Sequence, residues 1–439
     1  MRMRRFFGPV AAAVALTLSG VGLPPATAGV VQATLVSTNP VNYTPQLASD
    51  GIITHPAAYA LEQAGSTMYV GGQFGAVLAG GSTVVRNNVV AFDATTGALS
   101  TTFAPVVNGN VWAIRASGTA VYIAGEFTSV NGVARRGAAK LNAADGRLDL
   151  NWKAPWASGK GKDMQIVAGR VIISGTFAQH LLALDPVTGA DTGYIAIPIT
   201  GTCVDNALCG TAGAPATNQA TDVYRFAVSN DGTRLVGIGN FTAPHPRAFM
   251  LDLGSTSATL DTWYYAPFAH ACQLPKVYPA YLRDVDFSPD GSYFVVVSTG
   301  YIVQNNSPLL LGTDVCDAAG RFETAVPNQA KATWINYTGG DTLHSVNITG
   351  AAVYVQGHNR WMDNSGGRDS CIPGCFAASP GIQALDPVTG RANRLWVVGK
   401  TRGVGGKDLL STDLGLWVAS DGLKINGETH LGIALLPAV

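Results

Sequence analysis

The chain is 439 residues long, carries 28 Lys plus Arg against 28 Asp plus Glu, and is only 13% charged. That even balance excludes a global field that would steer it to nucleic acid or an anionic membrane surface, so recognition has to be local. Its 52 glycines and the scarcity of helical periodicity point to an all-β chain, larger than an ordinary single domain and punctuated by tight turns.

In chain order, residues 1–28 come first. "MRMRR", the apolar run "FFGPVAAAVALTLSGVGL" and the small-residue stretch "PPATAG" form a secretory signal pattern, with the mature chain expected to start near Gly29. An uncleaved anchor is the alternative, but the proline pair and "ATA" favour cleavage. No later segment is long and apolar enough to span a membrane. Export to an oxidising compartment turns the six cysteines into expected disulfides rather than thiolate metal sites. Cys203 with Cys209 and Cys371 with Cys375 are close in sequence, which leaves Cys272 for Cys316, one among the connectivities that six cysteines allow.

From residue 55 onward the chain repeats itself. One phrase recurs seven times, as "TMYVGGQF", "AVYIAGEF", "RVIISGTF", "RLVGIGNF", "YFVVVSTG", "AVYVQGHN" and "GLWVASDG". A second phrase follows most copies, as in "GAAKLNAADGRLDLNW" and "IQALDPVTGRANRLW": an apolar strand, a tight Asp/Asn-plus-Gly turn, and a strand ending in an aromatic residue. Each copy therefore supplies four strands, a to d, and four strands repeated around a ring make a β-propeller blade. The expected fold is a seven-bladed β-propeller, with blades near 55–109, 110–162, 163–221, 222–280, 281–340, 341–406 and 407–439. The last copy stops after strand c, so residues 39–47 are expected to complete it and close the ring.

The phrase "VYIAGEFTSVNGVARRGAAKLNAADGRLD" resembles the delta-60 repeat β-propellers, a family of exported bacterial proteins of largely unassigned function. The resemblance covers nearly the whole mature chain and is sharpest in copies 1, 2 and 6. Copies 4 and 5 depart from it, and "DVDFSPDGSYFVVV" is more similar to WD-type and TolB-type repeats. The stretch "GHNRWMDN…ALDPVTG…LW" is similar to a loop of secreted actinobacterial members of the group. No catalytic motif comes with the resemblance. The second phrase also resembles the repeat of quinoprotein dehydrogenases, whose aromatics dock blade on blade. That likeness implies structural roles for Phe103, Trp152, Trp263, Trp334 and Trp396. Quinone binding is not expected, because those enzymes use eight blades and a vicinal Cys-Cys, and this chain has seven repeats and no "CC".

In such a ring the a–b and c–d turns close one face, and the b–c and d–a connections open on the other. The former are short here; the latter hold the length variation, at 193–222, 264–281, 301–317 and 358–381, together with all six cysteines. Any binding site is expected on that face. At or before the starts of the innermost strands stand Asn110, Asp163, Asp222, Asp284, Asp341 and Asp408, with Ala57 the exception. Such a near-ring of acids would hold a cation, Ca2+ first, or a polyol. The simpler reading is that they accept backbone N–H bonds where the chain turns into a strand.

Residues 357–375, "GHNRWMDNSGGRDSCIPGC", form the densest polar stretch. His358, Arg360, Trp361 and Asp363, with Trp156 on the same face, are the expected ligand contacts. Asp363, Ser365, Gly367 and Asp369 alternate like the oxygen ligands of a calcium loop but lack its closing bidentate Glu. The seven histidines show no transition-metal spacing. A cleavage reaction would draw on Asp284 and Asp286, at i and i+2 on one strand, or on His358 as an acid. The sequence thus points to a secreted, monomeric binding module for a cell-envelope glycan or an extracellular protein, with no cofactor required. Its rival is an exported glycan-cleaving hydrolase or lyase that uses carboxylates on the same face.

Overall fold

A computed structural model of the chain describes residues 30–203, 220–270, 272, 280–301, 312–365, 369–376, 381–403 and 405–439. The segment read as a signal sequence, Cys209 with its expected bond to Cys203, and parts of the long connections lie outside the described residues.

Among the described residues there is one short 3-10 turn, Ala266–Ala269, and otherwise antiparallel strands; no helix is long and apolar enough to cross a membrane. Seven up-and-down sheets succeed one another along the chain. Their first strands are Ala57–Ala64, Val111–Ser117, Gly161–Val167, Asp222–Val228, Tyr281–Phe287, Leu343–Ile348 and Gly406–Thr412. Each pairs with a second strand that carries the recurring phrase, such as Ala120–Gly125, and that strand pairs with a third, such as Ala138–Asn142. A regular fourth strand survives only in the fourth and fifth sheets, as Ala258–Leu260 and Trp334–Tyr337. In the first, second, third and sixth sheets the described residues show it shrunk to a single bridge, such as Phe92 to Leu99 or Leu141 to Leu148. The turn before it explains this. The Asp93 carboxylate accepts from the backbone and hydroxyls of Thr95 and Thr96, turning the chain so tightly that one pair forms before it leaves to bury its aromatic residue.

Those aromatics sit between sheets. Trp152 lies edge-on to Tyr122, centroids 5.7 Å apart, and donates to the carbonyl of Asp185 in the next sheet. Trp396 packs tilted against Tyr354, centroids 5.4 Å apart, in the seam between the sixth and seventh sheets and donates to the carbonyl of Val36, and Phe103, Trp263 and Trp334 fill equivalent seams. The core is accordingly divided into clusters, each shared by two consecutive sheets. One further cluster packs Trp417 and Ile433 of the last sheet against Leu61 and Phe92 of the first. The first strands adjoin one another in the same cyclic order.

The N-terminal segment follows the last sheet, with Ser37 and Val41 donating to the carbonyls of Pro437 and Leu435. It does not form the expected strand over 39–47. Pro40 and Pro45 lack the N–H a ladder needs, and the short strand Gln46–Ala48 pairs instead with Ala76–Ala79, part of a hairpin inserted in the first sheet. Disulfides join Cys272 to Cys316 and Cys371 to Cys375, with Cα separations of 5.8 and 5.7 Å.

Candidate ligand site at the mouth of the axial channel

Each of the seven first strands carries a β-bulge near its start. The register against the second strand slips between Ala58 and Ala60, Val111 and Ala113, Gly161 and Asp163, and Val223 and Arg225. It slips again between Leu282 and Asp284, Leu343 and Ser345, and Gly406 and Asp408. The extra residue in ring order is Tyr59, Trp112, Lys162, Tyr224, Arg283, His344 and Lys407. A bulge re-aims a side chain that the pleat would have turned into a seam between sheets. All seven line one funnel of about 370 Å3 at the end of the sheets where the first strands begin.

The recurring phrase makes room for the bulges. A Cβ on Gly72, Gly125, Gly175, Gly239 or Gly357 would lie between 2.0 and 2.2 Å from the carbonyl oxygen of the residue preceding its cross-strand partner. At these five positions a bare Cα lets the bulged strand press that close. Ser298 and Ser420, both small and buried, hold the same position in the fifth and seventh sheets.

Charge is arranged around the mouth as regularly as shape. From the second sheet to the seventh, aromatic and cationic residues alternate: Trp112, Lys162, Tyr224, Arg283, His344, Lys407. Lys162 lies 4.0 Å from the Trp112 ring centroid and 5.4 Å from that of Tyr224, while Arg283 lies 4.4 Å from the ring of Tyr281. Lys407 lies 5.9 Å from the ring of Tyr59. Burial pushes the Lys162 and Lys407 ammonium groups below their usual pKa. Burial alone would raise the Tyr224 phenol, but Arg283, Arg225, Lys162 and Lys407 together outweigh it and hold the phenol below its ordinary value.

The acids expected at this mouth stand one residue further along. Asp163, Asp284 and Asp408 follow the bulged residues and line the channel beneath. Each accepts the backbone N–H of the next sheet's first strand: Phe226 at 3.0 Å, Val346 at 2.9 Å and Leu61 at 2.8 Å. Glu62 and Asp286 do the same for Ala116 and Ile348. The capping role thus describes these residues better than a cation ring. Asp222 accepts from the N–H of Asn240, and Asp341, 1% exposed, is clasped by Arg360 and Arg402. The channel offers about 90 Å3, room for a few waters and not for a sugar ring. Asp284 and Asp286 are therefore misplaced for glycoside cleavage, although burial pushes Asp284 well up and Asp286 to about 7.

The polar residues of the loop at 357–375 are tied mainly to neighbouring segments of the chain. Arg360 meets Asp341 through Nε and Nη2, both at 2.9 Å, pairs also with Asp369, and lies 4.1 Å from the Trp361 ring. Asp363 accepts from Asn336 and from the N–H of Ala392, with Arg394 3.5 Å away. Asp363 and Asp369 thus serve different arginines rather than one cation, and Gly367 lies outside the described residues. Among the described residues no group of three or more His, Cys, Asp or Glu has metal-binding geometry. Trp156 stacks on Phe177 of the third sheet at 4.3 Å and donates to the carbonyl of Arg136 of the second, which makes it a cap on the seam between them. These partners correct the expectation that Arg360, Trp361, Asp363 and Trp156 face a ligand.

His358 lines a side pocket of about 400 Å3 with Asp369 and Arg283; the residue is half-buried, and its Nε2 is buried without a hydrogen-bond partner among the described residues. Burial pushes its pKa down. Arg283 lines both this pocket and the funnel. The bulged residues escaped the sequence reading although a signal for them exists: three stand immediately before the acids Asp163, Asp284 and Asp408.

No family model matches the chain, and no curated protein matches it. Solved structures similar to it include the Cps50 (Swd1) β-propeller domain of Myceliophteria thermophila, 8% identical over 68% of this chain and 79% of that one, with a TM-score of 0.42. The computationally designed Ika8 protein is 11% identical over 89% of this chain and 98% of that one, with a TM-score of 0.47. Kuenenia stuttgartiensis hydrazine synthase is 14% identical over 90% and 98%, also with a TM-score of 0.47.

Proposed function

We propose that the seven sheets are the blades of one seven-bladed β-propeller, closed where its last sheet meets its first, and that the protein is an exported module that binds an extracellular glycan in its axial funnel. The bulge ring carries this reading. Seven sheets each deliver one side chain to the same concavity, and four of those side chains, Tyr59, Trp112, Tyr224 and His344, present aromatic faces on which a sugar ring stacks. The repeat phrase supports a place among the delta-60 repeat propellers, and the two disulfides fit an oxidising compartment. Cleavage has less support, because the carboxylates it would use bond the next strand inside a channel too narrow for a sugar.

A glycan array on the mature protein, followed by calorimetry of the best saccharide, tests the reading. Trp112→Ala and Tyr224→Ala should each weaken binding by about tenfold or more. Val388→Ser, in an exposed turn at the opposite end of the ring, should leave it unchanged. An array on which no saccharide binds would sink the proposal.

A further inference from the structure

We infer that the ligand of this funnel is an acidic saccharide, whose carboxylate or sulfate sits on the axis among Lys162, Arg283 and Lys407; the inference rests on the binding reading above. The lining contains four cationic side chains and no carboxylate among the described residues. Overall composition does not produce this excess, since acids and bases are equal in number along the chain. Arg225, at the floor, is partly answered by Asp163 at 3.5 Å. Lys162, Arg283 and Lys407 form no ion pair among the described residues, and Arg283 Nε is buried without a partner there.

Their placement argues for an anion on the axis rather than at the rim. The three come from the third, fifth and seventh sheets, so they surround the opening instead of forming one basic edge. Aromatic faces flank them, and a ring face holds a cation in position without cancelling its charge. Asp222 and Asp421 attract Lys162 and Lys407 without pairing with them, so holding the three cations half-buried remains unfavourable for the fold, and an oxyanion arriving between them relieves that repulsion. The same alternation suits a sugar carrying the anion, because every seat for a charged oxygen adjoins a seat for a ring. At about 370 Å3 the funnel lies toward the lower end of small-ligand sites.

The test uses the mature protein and saccharide fragments in matched pairs: hyaluronan and oligogalacturonate against their carboxyl-reduced forms, and chondroitin sulfate against its desulfated, carboxyl-reduced form. Inorganic sulfate and phosphate serve as separate arms. At least one acidic member should bind about tenfold or more tighter than its neutral counterpart, with an advantage that shrinks as salt rises. Lys162→Met with Lys407→Met should remove that advantage and leave weak stacking affinity. Should the double variant fail to fold, Arg283→Gln and the salt dependence of the wild type carry the same comparison. Equal binding of acidic and neutral partners overturns this inference and leaves the binding module standing, whereas no binding by any saccharide removes both. Sulfate or phosphate displacing the saccharide at equal concentration overturns the acidic-sugar assignment in favour of a simple anion seat.

Discussion

The Asp408 carboxylate, in the last sheet, accepts a hydrogen bond from the backbone N–H of Leu61, in the first, across 2.8 Å and 347 residues of sequence. Asp163 and Asp284 make the same bond to Phe226 and Val346 in the sheets that follow them. Each strand carries its bond to the next beside a bulge, so the device that exposes one residue at the mouth also anchors its neighbour.

Asp408→Ala is expected to destabilise the protein by about 2–3 kcal/mol, because a buried N–H is left without an acceptor. Asp408→Asn keeps one acceptor and should cost less. Urea unfolding of the three proteins checks this. A loss under about 0.5 kcal/mol for Asp408→Ala would show that the seam does not depend on that bond.

Gly125→Ala tests the origin of the bulges. The new Cβ would meet the carbonyl oxygen of Asn110 at 2.0 Å, so the first strand of the second sheet has to move away. A loss of about 1–3 kcal/mol is expected, with saccharide affinity falling alongside as Trp112 is displaced. Unchanged stability together with unchanged affinity would refute the link between the repeated glycine and the mouth.

Asp286 gives stability a pH dependence of defined sign. Burial holds its carboxyl near 7 in the folded chain, against an ordinary value of 3.8. Its contribution is fully present below the unfolded value and is lost as pH rises through about 7, with a slope of at most about 1.4 kcal/mol per pH unit. Relative to Asp286→Asn, the wild type should therefore weaken between about pH 4 and about pH 7. Denaturant midpoints of the two proteins that run parallel across that range would contradict the assignment.

Tyr224 reports the field at the mouth. Its phenol should ionise below the ordinary value of 10.0, seen as phenolate absorbance that disappears in Tyr224→Phe. Lys162→Met and Arg283→Gln should each move that ionisation upward, because each removes a cation that stabilises the phenolate. A Tyr224 titration indifferent to both substitutions would mean that the cations do not converge there.

The sheets, their turns and the aromatic seams were legible in the linear order of residues, because each depends on neighbours close in sequence. Asp93 makes its turn with Thr95 and Thr96, and Cys371 finds Cys375 four residues on. The polar loop at 357–375 misled: Arg360 looked available, and its partner Asp341 belongs to the start of another strand.

What sequence by itself determined is the repeat, and with it the succession of sheets and the face on which the connections vary. What only tertiary structure decided is which side chain of each first strand reaches the mouth. Side chains alternate along a strand, so a one-residue slip exchanges the residue at the mouth for its neighbour. In the second sheet that slip sets the carbonyl of Asn110 against Gly125, and the seven slipped residues come together in one funnel only in the folded chain. The acids were visible as a periodic set; the cations and aromatics one position before Asp163, Asp284 and Asp408, and at the matching bulges, are the residues that line the funnel.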